Sequence, residues 1–121
     1  MTAIRLDLPY RQPPLTANQR LHWARKAELT RRCRETVGWL VRSKNLPGTR
    51  RLTVTLHYQP AEHRRRDAHN LYPTLKACVD GLVDAGVVPD DSTEYVSTPE
   101  PVIHYPEPAR GAALWLELEY R

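Results

Sequence analysis

Arg64-Arg65-Arg66-Asp67-Ala68-His69-Asn70-Leu71 runs three cations into an acid and an imidazole, and then into a helical period. From Leu71 onward, Leu75, Val79 and Leu82 recur at three- and four-residue steps, the spacing of one buried helix face. The octet therefore predicts a loop or strand end that opens a helix running to about Ala85. Asn70 serves as cap, and Pro73 falls in the first turn, where amides have no intrahelical partner to lose. Gly86 supplies the stop. Asp90-Asp91 follow Pro89 a few residues later. Cations suited to phosphate thus lie beside oxygen and nitrogen donors suited to a divalent metal, the two elements that metal-assisted cutting of a phosphodiester requires.

Upstream of the octet, Leu52, Val54 and Leu56 alternate with Thr53, Thr55 and His57, a strand period closed by Pro60. Before it, Leu29, Cys33, Val37, Leu40 and Val41 give a helix from about Arg20 to Arg42, with cap candidates in Thr16-Ala17-Asn18-Gln19. Arg31, Arg32, Arg34 and Arg42 lie off its buried stripe, and Glu28–Arg32 and Arg31–Glu35 are spaced for intrahelical pairing. Ile4 to Leu8 alternates as a short strand, ended by Pro9, Pro13 and Pro14. Downstream, Glu94–Val96, Val102–Tyr105 and Ala112–Tyr120 read as strands. The expected fold is α+β: one domain over residues 1–121, with a small mixed sheet and two main helices.

Length and composition fit a single globular domain without a membrane span, and the N-terminus has no signal-like apolar stretch. Cys33 and Cys78 are expected as reduced thiols, the pattern of a cytoplasmic protein. The net charge of +4 hides an asymmetry. Residues 1–66 carry 15 Lys and Arg against 4 Asp and Glu, whereas residues 67–121 carry 3 against 10. A polyanion-binding surface from the first half and an acidic centre from the second is one reading; mutual neutralisation across the fold is the other.

Asp67 and His69 are two apart and precede a helix N-terminus, which favours an anion such as phosphate. Asp67 could equally be a capping carboxylate, and Asp90-Asp91 a turn. Lys76, Asp80 and Asp84 share a helix face, which for Asp84 reads as solvated surface. Lys76 could neutralise charge developing on a phosphate. His22, His57, His63 and His104 have no zinc spacing, and neither a glycine-rich phosphate loop nor a Gly-x-Ser-x-Gly elbow is present.

The block from Arg64 to Leu71, then Leu75-Lys76, Val79-Asp80-Gly81-Leu82, Ala85-Gly86-Val87 and Asp90-Asp91, resembles the RusA-type Holliday junction resolvases. The Pro13-Pro14 to Asn18 loop with Arg20 resembles that family's N-terminal pattern. The resemblance spans most of the chain. It implies a small homodimeric endodeoxyribonuclease, dependent on magnesium or manganese, that nicks four-way DNA junctions in symmetric pairs; such proteins occur in bacteria and their phages. By resemblance, Asp67 and Asp91 match metal-binding catalytic aspartates and Lys76 an essential lysine. Arg64, Arg65, Arg66, Arg20, Lys26 and Asn18 are the expected DNA contacts.

His69 stands where the family pattern has a second aspartate. Magnesium prefers hard oxygen ligands, whereas imidazole suits manganese and later metals. The expectation is a manganese preference, with Asp90 supplementing Asp67, His69 and Asp91 as ligands. The competing reading is a protein that binds branched or single-stranded DNA without cutting it; a phosphodiesterase for small nucleotides is a further alternative. A helix of about sixteen residues spans roughly 24 Å. The residues from Gly86 to Asp91 return at most about 17 Å. Asp91 is therefore hard to bring beside Asp67 within one subunit, which points to a site completed near a dimer interface.

Overall fold

The computed structural model describes residues 2–121. Five strands form one mixed sheet: β1 (Thr2–Leu8), β2 (Leu52–Gln59), β3 (Val96–Ser97), β4 (Val102–Ile103) and β5 (Ala113–Tyr120). β5 lies between β1 and β2 and is antiparallel to both, so β1 and β2 run the same way. β3 and β4 sit end to end along the other edge of β2, parallel to it, at Leu52–Thr53 and His57–Tyr58. The expected α+β fold is thus the observed one, a mixed sheet in which β5 alone runs against its neighbours.

Two helices, α1 (Trp23–Ser43) and α2 (Tyr72–Asp84), cover one face of the sheet. The alternation read in the sequence explains why. Leu6, Leu8, Val54, Leu56, Leu114, Leu116 and Leu118 point to one side and meet Cys33, Val37, Val41, Leu75, Val79 and Leu82 in a single core. Leu29 and Leu40, at the margins of the α1 stripe, are half-buried. Cys33 and Cys78 are buried free thiols with Sγ atoms 3.9 Å apart. On the other face of the sheet, Trp115 stacks on His57 (ring centroids 5.2 Å apart), and the Arg5 guanidinium lies 3.9 Å from the Trp115 ring centre. His57 Nδ1 meets His104 Nε2 at 2.8 Å, while its Nε2 meets Glu117 Oε1 at 2.9 Å.

Element ends differ from expectation for local reasons. α1 starts at Trp23 with His22 as cap, not at Arg20. The polar groups of Thr16, Asn18 and Gln19 are spent on their own turn: Gln19 Oε1 accepts from Thr16 N at 3.0 Å, and Asn18 Oδ1 from the Thr16 hydroxyl at 2.8 Å. Asp67, not Asn70, caps the entry to the second helix, through a 3-10 turn at Ala68–Leu71. Pro73 lies in the first turn of α2, and Gly86 follows its end with φ +82°. β3 and β4 are shorter than the segments read as strands, because only two residues of each pair with β2. Among the described residues, no helix is long and apolar enough to cross a membrane.

Candidate active site

Parallel β2 and β4 end at the same edge of the sheet, so the loops that leave them meet there, and α2 begins beside them. Ligand sites in parallel sheets commonly form at strand carboxyl ends of this kind. The loop after β2 carries Arg64, Arg65 and Arg66. With Asn18, Asp67 and Asn70 they line an open cleft of about 580 Å³. Asn18 is brought there because Ala17 N donates to Asn70 O at 3.1 Å. Arg66 is tethered by Nη1 to the Glu62 carbonyl at 2.9 Å. Among the described residues, Arg64 and Arg65 form no ion pair.

Helix α1 is different. Arg25 and Arg32 pair with Glu28, Arg31 with Glu35, and Arg34 with Asp84 through two 2.9 Å bonds. Lys26 lines a separate depression beside Trp23, Arg31 and Arg34, away from the arginine cleft. Arg20 is exposed in the segment before α1. The structure therefore gathers Arg64, Arg65, Arg66 and Asn18 together and leaves Lys26 apart.

At the mouth of the cleft, Asp67 accepts from His69 N at 2.9 Å and also lies 3.4 Å from His69 Nδ1. It is therefore a cap as well as an exposed carboxylate. His69 stacks on Tyr72, with its Nε2 3.8 Å from Glu100 Oε1. Glu100 comes from the link between β3 and β4 and carried no signal in the sequence; the register of those strands on β2 delivers it.

A second cluster lies further along the helix. Lys76 Nζ donates to Asp80 Oδ1 at 2.8 Å and to Asp91 Oδ2. Asp80 was legible only as one position of a charged helix face, four residues from Lys76. Hydrogen bonds donated to Asp80 and then Asp91 hold the Lys76 ammonium above its usual pKa, and Lys76 in turn holds Asp91 below the usual carboxylate range. α2 has 13 residues, about 20 Å at the helical rise. The chain after Gly86 turns back along it within the same subunit and stops at Lys76, partway down the helix. Asp90 is exposed beside Asp91.

Asp80 and Asp91 present oxygens to a common point, which the Lys76 ammonium occupies. Asp67, His69 and Glu100 mix oxygen with imidazole. Among the described residues, no three His, Cys, Asp or Glu side chains close into one metal-holding group, and Asp67 and Asp91 have different partners, His69 for the first and Lys76 for the second. No protein-family model matches the chain, and no curated protein matches it at a significant level.

Proposed function

We propose that the protein is a metal-dependent, structure-selective endodeoxyribonuclease that resolves four-way DNA junctions by paired nicks, acting as a homodimer. The observation that carries this reading is the convergence of Asp80 and Asp91 on Lys76, on the helix that opens beside an arginine cleft. A two-fold dimer suits a junction that must be cut at two related phosphates.

In this reading Arg64, Arg65 and Arg66 hold backbone phosphates without reading sequence. Asp80 and Asp91 would hold magnesium or manganese, with Asp67, His69 and Asp90 available towards the helix start and the return loop. When bound, the metal supplies activation of a water and polarisation of the phosphate. Both carboxylates favour the charged form of Lys76. It fixes their orientation and can offset negative charge on the phosphate.

Three observations favour a second reading, a branched-DNA-binding protein without nuclease activity. Asp67 is engaged as a cap, Asp91 is already neutralised by Lys76, and His69 carries one negative charge fewer than an aspartate. Cleavage of a labelled four-way junction and a matched linear duplex separates the two. The expected result is nicking of the junction alone, with either metal, lost in Asp91→Asn and Asp80→Asn. Tight junction binding without nicking in either metal would establish the second reading. If His69→Asp then restored cutting, the lesion would lie at His69.

A further inference from the structure

β4 delivers more than Glu100 to the sheet edge. The register of Val102–Ile103 on His57–Tyr58, with His104 N donating to Tyr58 O at 2.8 Å, places Tyr105 directly after a fixed strand end. Tyr105 is 80% exposed. Its ring stacks on His63, from the loop after β2, with centroids 5.2 Å apart and planes 10° from parallel. The pair borders a recess of about 240 Å³ lined by Arg64, Arg66 and His104, and the two arginines also line the open cleft described above.

A large aromatic left in water contributes nothing to the core, and Tyr105 keeps most of its surface exposed despite the stack on His63. Stacked rings beside exposed guanidinium groups match the chemistry of an unpaired nucleotide, whose base needs a flat apolar surface and whose phosphate needs a cation. We infer that the Tyr105–His63 stack is a platform for one unstacked base of a DNA strand whose backbone follows Arg64 and Arg66. The inference rests on the nucleic-acid reading of the arginine cleft, but not on nuclease activity. It makes Tyr105 a determinant of substrate form: it rewards strands whose bases can splay out, as at a branch point, over continuous duplex.

The test is binding of labelled oligodeoxythymidine, an abasic strand of equal length and a blunt duplex, measured by fluorescence anisotropy on the full chain. Tyr105→Ala is expected to weaken oligothymidine binding about 5- to 100-fold, the range for one aromatic–base stack. Tyr105→Phe should bind as wild type does, and duplex affinity should change less than about twofold in both. Wild type should prefer oligothymidine over the abasic strand by a comparable factor, a comparison that needs no variant to fold. Equal affinity of wild type for the thymidine and abasic strands overturns the platform, as does an unchanged Tyr105→Ala. Both results leave the arginine cleft standing if an Arg64→Ala/Arg65→Ala variant loses binding to every DNA. Should that double variant bind all three as wild type does, the cleft fails and the platform with it.

Discussion

His104 shows how one side chain ties acidity to stability. Glu117 is a carboxylate and can only accept, so His57 Nε2 donates to it, and His57 Nδ1 meets His104 Nε2 at 2.8 Å. Burial holds the His104 pKa below the usual histidine value, reinforced by His57 and by Arg5 from β1, with Glu107 opposing them. A base with a depressed folded pKa is more readily protonated when unfolded. Its contribution is therefore complete above the ordinary value of about 6.5 and lost as the pH falls towards the folded value. Urea midpoints measured across this window should fall on acidification, and His104→Gln should flatten the slope. Identical slopes in wild type and variant would remove His104 from the account.

Between α1 and α2 the decisive element is a missing side chain. A Cβ at Gly81 would sit 2.8 Å from the Arg34 carbonyl oxygen and 2.9 Å from Val37 Cβ, both on the facing helix. Gly81→Ala should cost about 1–2 kcal/mol in denaturant unfolding, even though alanine is intrinsically the better helix former by about 1 kcal/mol. Gly38→Ala is the internal control. Its nearest neighbour is the flexible end of Arg42 at 3.3 Å, so that variant should be neutral or stabilised. A stabilised Gly81→Ala would mean that the helices separate at no cost. The two helices and the three long strands were legible from apolar periodicity because each buries one stripe or one face. The brevity of β3 and β4 was not, since pairing on β2 fixes their length and no local pattern records it. The site divides the same way. Arg64 to His69, Lys76 and Asp91 stand out along the chain. Glu100 meets His69, and Tyr105 meets His63, only through strand register, and the role of Asp80 required knowing where the return loop stops.

Across the whole molecule, the positive excess of the first half splits into paired and open charge. On α1, Arg25, Arg31, Arg32 and Arg34 face carboxylates, whereas among the described residues Arg64 and Arg65 do not. Each phosphate neutralised contributes roughly 0.9 to the slope of log affinity against log salt on duplex DNA. Removing Arg64 and Arg65 together should lower that slope by roughly 1–2, and removing Arg25 and Arg32 by less than about half a unit. Equal losses would spread the interface over α1 as well. The position of β5 has a consequence of another kind. The final strand in the sequence lies between β1 and β2, and its register pairs Thr2 with Tyr120. A ribosome releases β1, both helices and β2 before the strand that joins them. Until then β1 and β2 have no shared partner, and the apolar faces of α1 and α2 have no finished sheet to cover. Closing contacts so far apart in sequence is slow. The nascent protein must therefore hold exposed helices until β5 emerges, and its sheet is completed from the middle outwards.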